Sequence, residues 1–228
     1  MTKSKILTVI IACALAVAVS VGATVAFLTS ADSVKNTFTV GKVSISLDEA
    51  KVNTSGEPLD ASGAVVSPEN AVRVKGNSYH LVPGKSYVKD PTVTVSKGSE
   101  SAYVRAMVSI NKTNALNAIF AGGDILSIFG GMDAAKWISG ATTTEGDVVT
   151  YEFRYFEAVD ASGASADITL PALFSSIALP GTVTGEQLAT LYSDNDALTV
   201  TVEAHAIQTV GFNSVDDAWR AFDDQVNG

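Results

Sequence analysis

In the stretch AYVRAMVSI, residues 102–110, small or branched apolar side chains at even positions alternate with larger or polar side chains at odd positions. A β-strand places successive side chains on opposite faces, so this alternation predicts a strand that is buried on one side. Small and branched apolar residues fill the first predicted face: Val104, Ala106, Val108 and Ile110. The second face carries Tyr103, Arg105, Met107 and Ser109. The stretch therefore predicts one strand of a sheet whose inner face covers a hydrophobic core.

The same alternation recurs along the chain, between turn signals made by glycine and proline. It is found in residues 37–40, 43–47, 91–95, 148–159 and 198–207, and residues 167–178 are predicted to be extended. Pro83-Gly84 and Lys97-Gly98 predict turns. Residues 50–78 lack periodicity and predict a long loop or an irregular hairpin. About seven short strands separated by turns favour an antiparallel β-sandwich.

Helical spacing interrupts this pattern in a few places. Residues 113–140 predict an insertion of short helices, and residues 185–192 predict one further short helix. Ser214 can cap a C-terminal helix. The apolar face of that helix would consist of Val215, Ala218, Trp219, Phe222 and Val226. We therefore expect one all-β domain over residues 27–228, with short helical insertions and a C-terminal helix.

Composition limits the classes of partner. Of the 228 residues, 46% are hydrophobic and 17% are charged, which is typical of an ordered globular protein. The formal net charge is −9, and it becomes −11 if Lys3 and Lys5 are removed with a leader. An acidic surface disfavours nucleic acid and anionic lipid as partners, because both are bound by clustered Lys and Arg. Cys13 is the only cysteine, so the mature core is expected to form without disulfides.

Residues 1–26 have the organisation of a secretory signal peptide, which is expected to form a hydrophobic helix. Two lysines precede an apolar run over residues 6–27, and small residues cluster at its end. We predict cleavage between Ala26 and Phe27, with Ala23 and Thr24 as the alternative pair. A different interpretation is an uncleaved anchor, because the run is long enough to span a bilayer.

No residue pattern predicts a catalytic, cofactor-binding or metal site. His80 and His205 are isolated, whereas a zinc site needs three or four convergent ligands, so both are expected at the surface. Ser86-Tyr87-Val88-Lys89 and Ser193-Asp194-Asn195 match two motifs of penicillin-interacting serine enzymes. The nucleophile of those enzymes should open a helix, and their third motif is missing. We therefore expect a protein that is not an enzyme and that needs no cofactor.

Several segments together resemble one family. The leader continues into AFLTSADSVKNTFTVG (residues 26–41) and then VSISLDE (residues 43–49). Shorter motifs follow at LVPGK (81–85), KDPTVTV (89–95), AYVR (102–105), LFSS (173–176) and AHAIQT (204–209). In these segments the chain resembles the TasA/camelysin family of secreted Gram-positive proteins, which are processed by a specialised (SipW-type) signal peptidase.

The resemblance implies a jelly-roll-like β-sandwich that is secreted to the extracellular matrix or the cell surface. It also implies assembly into biofilm matrix fibres, with the signal peptidase, further copies of the chain and an accessory matrix protein as partners. In fibre-forming relatives the N-terminal segment leaves its own subunit and completes the sheet of the next. Here the donor strand would be residues 27–40, and its apolar contacts would come from Phe27, Leu28, Val34, Phe38 and Val40.

Three alternatives stay open on the sequence alone. Residues 27–47 can fold into their own sheet, which would give a monomer. A camelysin-like metalloprotease is the second alternative, although the sequence has no recognisable set of metal ligands. The third is a surface binding module that is held in the membrane by an uncleaved leader, which is the only membrane contact we expect.

Overall fold

Strands dominate the fold, and the computed structural model describes residues 42–193 and 196–227. These residues fall within one compact unit, Gly41–Gly228. The described strands, numbered in chain order, are β1 (Ile45–Ala50), β2 (Arg73–Val74), β3 (Ser86–Val88), β4 (Thr92–Val95), β5 (Ala102–Asn111), β6 (Phe129–Gly130), β7 (Trp137–Glu145), β8 (Val148–Tyr155), β9 (Ile168–Thr169), β10 (Ser176–Ala178), β11 (Tyr192–Ser193), β12 (Asp196–Ala197) and β13 (Val200–Gln208). Every pairing among them is antiparallel, and the predicted all-β class is confirmed.

The strand predicted from residues 102–110 lies inside a four-stranded sheet with the order β13-β5-β8-β7. β13 pairs with β5 along its whole length. β7 and β8 form a hairpin that turns at Gly146, where a φ of 61° gives the left-handed conformation that glycine adopts without strain. β7 is exposed at every residue after Trp137 and forms a solvent-exposed edge of this sheet, whereas β8 contributes Val149 and Phe153 to the core.

A second four-stranded sheet has the order β2-β1-β4-β9, and a smaller sheet has the order β3-β10-β6. Cα atoms of β1 and β13 lie within 8 Å of each other, which brings the two larger sheets together as a sandwich. Their inner faces share one apolar core. β4 contributes Val93 and Val95 to it, and β5 contributes Val104, Ala106, Val108 and Ile110, as predicted. A jelly-roll-like strand order stays a prediction.

Three short α-helices accompany the described sheets: α1 (Thr113–Ile119), α2 (Gly185–Leu191) and α3 (Val215–Asn227). Ser214 caps α3 as predicted, because its Oγ accepts a hydrogen bond from Asp217 N at 3.1 Å. α3 buries Ala218 and Trp219, but Val226 is 66% exposed and does not belong to the predicted apolar face. Within the described residues, no helix is long and apolar enough to cross a membrane.

The predicted insertion 113–140 is helical only in its first part. It contains α1 and a 3-10 helix, Ile125–Ile128, but β6 follows directly and Trp137 begins β7. β8 ends at Tyr155, before the predicted strand end at Val159, which makes only an isolated bridge. The predicted strand 37–40 and the predicted signal helix 1–26 lie outside the described residues.

Candidate functional site: an open sheet edge

β13 is an edge strand whose outer side has no partner among the described residues. Its hydrogen-bond ladder with β5 is fixed at both ends. Asn111 N donates to Thr199 O at 3.3 Å, and Thr209 N donates to Ser101 O at 2.9 Å. Backbone groups alternate in direction along a strand, so the odd-numbered residues of β13 bond to β5. The N–H and C=O groups that point away from β5 belong to Val200, Val202, Ala204 and Ala206.

These same four residues of β13 direct their side chains toward the core. They pack against it but are only half-buried, whereas the inward residues of the neighbouring strand β5 are 0–1% exposed. The difference between two adjacent strands shows that the sandwich is incompletely covered along β13. Backbone groups without a partner among residues 42–193 and 196–227 and incompletely buried apolar side chains therefore coincide on one edge.

β1 borders the opposite side of this edge. Ser96 N donates to Ser44 O at 2.9 Å, so the alternate residues Ile45 and Leu47 direct their backbone groups away from β4. β2 pairs only with the last two residues of β1, which leaves this stretch uncovered by a described strand. The Leu47 carbonyl instead accepts a hydrogen bond from Lys75 Nζ at 2.6 Å. An open groove thus lies between the second half of β1 and the first residues of β13.

The first cavity in the groove is polar. This polar cavity has a volume of about 220 Å³, and its walls include Val200 and Val202 of β13. Lys89 Nζ donates to Glu49 Oε2 at 2.7 Å, although the two residues are only 7% and 5% exposed. Asn77 Nδ2 donates to the other carboxylate oxygen of Glu49 at 2.8 Å. The cavity wall therefore contains a buried ion pair whose hydrogen bonds hold it in place.

A second cavity lies next to the first, and the two share Lys89 and Val200. This middle cavity has a volume of about 310 Å³. Its apolar walls come from Leu81, Ile177, Tyr192 and Leu198. Burial, helped by the charge of Glu49, raises the pKa of Tyr79, another wall residue, well above its ordinary value, so its hydroxyl stays protonated.

A third cavity shares Leu81 and Tyr192 with the middle cavity. This end pocket has a volume of about 190 Å³. It is lined by His80, Leu81, Val82, Pro83, Leu188 and Tyr192. The groove therefore continues past the first residue of β13 and becomes apolar where α2 meets the 81–83 turn region.

A separate charged cluster lies on the outer face of the β13-β5-β8-β7 sheet. Arg105, which is 5% exposed, forms a bidentate ion pair with Asp223 of α3 and donates to Glu152 Oε1 at 3.4 Å. Its guanidinium carbon lies 4.5 Å from the centre of the Trp219 ring, at cation–π distance. Arg154 donates to Glu152 at 2.9 Å and pairs with the first turn of α3. These contacts fix α3 on the sheet.

Three pKa shifts follow from this cluster. Burial, together with the nearby Arg105 charge, lowers the pKa of His205. The hydrogen bond from Arg105 lowers the pKa of Asp223. Burial opposes ionisation of Glu152, but hydrogen bonds from Arg154 and a backbone amide hold its pKa below the ordinary value. Every arginine and carboxylate in the cluster has an oppositely charged partner within it, so we interpret it as a structural contact that holds α3.

The structure corrects one histidine prediction. His80 is exposed, as expected. The prediction for His205 is wrong, because its ring is half-buried, stacks on Phe222 at 4.8 Å between centroids, and accepts a hydrogen bond from Arg105 Nε at 3.2 Å. Alternation correctly placed His205 on the outer face of β13, but only the tertiary fold brings α3 over it.

The other sequence-derived site residues divide into two groups. The serine-enzyme motif is not assembled, since Ser86 starts a strand rather than a helix and Lys89 is paired with Glu49. The cleavage residues and the donor contacts lie outside the described residues: Ala23, Thr24, Ala26, Phe27, Leu28, Val34, Phe38 and Val40. The groove between β1 and β13 was not predicted residue by residue, because its walls come from segments that are distant in sequence.

Within the described chain, no group of three or more His, Cys, Asp or Glu side chains is placed to hold a metal ion. Comparisons with protein-family models, with curated proteins and with solved structures found no match. The function is therefore inferred from the open edge of this chain.

Proposed function

We propose that this chain is a secreted structural protein, an extracellular or biofilm matrix fibre subunit that assembles by donor-strand exchange. After the leader is cleaved, residues 27–40 of one copy would pair with β13 of the next. The observation that carries the proposal is the edge of β13, where half-buried apolar side chains coincide with backbone groups that have no partner in the described part of the chain.

Strand addition to this edge satisfies two physical needs at once. An unpaired strand edge attracts another chain, because its N–H and C=O groups are ready to form a ladder. The donor segment also has apolar residues of one parity, Val34, Phe38 and Val40, that can complete the half-buried inner face of β13. Burial contributes roughly 1.5–3 kcal/mol for each large side chain, which is enough to stabilise such a contact.

The expected geometry of this contact leads to a filament. A donor segment and an acceptor groove are different surfaces, so each subunit can accept one neighbour and be accepted by another. A head-to-tail contact whose rotation does not close continues without limit. The leader keeps residue 27 attached to the membrane until cleavage, so the signal peptidase would determine where assembly starts.

The primary experiment compares filament formation by the mature chain and by a variant that lacks residues 27–36. We expect electron micrographs to show filaments only for the mature chain, while circular dichroism shows that both are folded. A matched pair tests the mechanism further. Phe38→Ala with Val40→Ala should abolish filaments, and Thr37→Ala with Thr39→Ala, on the opposite face of the donor, should keep them. Filaments that persist after the deletion would refute the proposal.

Two other functions have direct tests. Retention as a membrane-anchored surface binding module predicts that the extracellular protein still begins at Met1, which N-terminal sequencing decides. A camelysin-like metalloprotease predicts casein hydrolysis that a chelator abolishes. No contact among the described residues favours either function over strand exchange.

A further inference from the structure

The cavities of the groove border the first residues of β13 and continue beyond the start of that strand. β13 has nine residues, which at about 3.3 Å per residue span about 30 Å. Residues 27–40 span about 46 Å on the same scale when they are extended. A donor that pairs along β13 therefore extends at least about five residues beyond it. The groove extends in the same way, through the middle cavity into the end pocket.

Only one end of the donor can enter a walled pocket. Val40 is followed by Gly41 and then by Lys42, whose carbonyl accepts a hydrogen bond from Glu100 N at 3.1 Å within the folded unit. The donor's own body therefore follows within two residues of Val40. The Phe27 end becomes a free chain end once the leader is removed, and it carries two adjacent large apolar side chains, Phe27 and Leu28.

We infer that the end pocket is the binding site for Phe27 and Leu28 of a second copy, the first two residues of the mature chain. This inference rests on the proposed strand exchange and adds its direction. The donor then runs parallel to β13, from the end pocket past Val200 toward Gln208, and Val40 lies at the Gln208 end.

The side chains along the edge fit this direction. With Val40 level with Ala206, Phe38 is level with Ala204, so the larger donor residues meet the smallest residues of the edge. Asn36 is then level with Val202, which lines the polar cavity beside Asn77 and Lys89. The apolar donor residues thus face the open apolar edge of β13, and the side-chain amide of Asn36 faces the hydrogen-bonding groups of Asn77 and Lys89.

Cysteine crosslinking in filaments of the mature protein tests the direction. Cys13 leaves with the leader, so the mature chain offers no competing thiol. Val82 lines the end pocket and is 47% exposed, which makes it suitable for replacement. We expect Leu28→Cys with Val82→Cys to give a ladder of disulfide-linked multimers on a non-reducing gel after mild oxidation. The matched pair, Val40→Cys with Val82→Cys, should give none, since a disulfide needs Cβ atoms within about 4.5 Å.

A second measurement does not depend on thiol geometry. Phe27→Ala and Leu28→Ala should each raise the protein concentration needed for filament formation about tenfold, because each removes a buried apolar side chain. Thr29→Ala should leave that concentration unchanged. Normal filaments that crosslink only through the Val40 pair, or that are insensitive to the Phe27 and Leu28 variants, would overturn this inference and leave strand exchange intact. A mature wild-type chain that forms no filaments would overturn both.

Discussion

Replacing Lys89 by Met should destabilise the fold more than replacing any other cation in the described ion pairs. Lys89 is the only cationic partner of Glu49 among the described residues, and both side chains are buried. Removing the lysine leaves Glu49 with the single hydrogen bond from Asn77. Breaking one side of a buried ion pair costs about 3–5 kcal/mol, because the remaining charge stays largely buried without a counter-ion. We expect the free energy of unfolding to fall by about that amount.

Arg105→Met is the matched control, because it also removes a buried cation but leaves no buried carboxylate without a counter-ion. Glu152 keeps Arg154 at 2.9 Å, and the Asp223 side chain is 47% exposed and can be hydrated. The loss should then be limited to hydrogen bonds and the stacking on Trp219, about 1–2 kcal/mol. The two variants therefore separate the cost of an uncompensated charge from the cost of lost contacts.

Urea denaturation followed by circular dichroism measures both variants, at a concentration where sedimentation shows single particles. The double variant Glu49→Gln with Lys89→Met should recover at least about 2 kcal/mol of the Lys89→Met loss, because no charge stays buried. The reasoning is refuted if Lys89→Met costs no more than Arg105→Met, or if the double variant is less stable than Lys89→Met alone.

Three further predictions use the same reasoning. Val202→Lys should abolish filaments in electron micrographs while changing the free energy of unfolding by no more than about 1 kcal/mol. Glu203→Lys should keep them, because this side chain lies on the outer face and is 67% exposed. Filaments from Val202→Lys would contradict the acceptor edge. Burial lowers the pKa of His205 below its ordinary value of 6.5, so the folded state resists protonation of this ring. The free energy of unfolding should therefore decline as the pH falls below 6.5. Urea midpoints measured against pH should show this decline in the wild-type chain and not in His205→Gln. Gly56→Ala should cost more than about 2 kcal/mol, because the new Cβ would lie 2.5 Å from a buried tyrosine ring at a φ of 75°. Gly63→Ala, with open space around it, should cost about 1 kcal/mol, and equal losses would show that the close contact is relieved without cost.

Periodicity predicted the strands that have one buried face. In β5 the alternate residues from Val104 to Ile110 are almost fully buried, so the sequence pattern and the tertiary environment agree. The β7–β8 hairpin was predicted only in part, because β7 is exposed on both faces after Trp137 and gives no apolar alternation. Its signals were the β-branched run Thr142-Thr143-Thr144 and the turn glycine at 146.

The site depends on contacts that no local pattern contains. Lys89 and its partner Glu49 are 40 positions apart, and Arg105 and its partner Asp223 are 118 apart. The sequence shows that β13 has small and branched apolar residues on one face, but it does not show how many neighbours that strand has. Edge position is a property of the whole sheet, so it could be read only once all described pairings were known.

The exposed β7–β8 hairpin offers a place for a reporter. It occupies the sheet edge opposite β13, and a side chain added at Gly146 would meet no atom within 4 Å. A fluorophore or an epitope inserted at this tip would therefore leave both the acceptor groove and the donor segment unmodified. Subunits carrying two different dyes there would make growth at each tip of the proposed filament visible in real time.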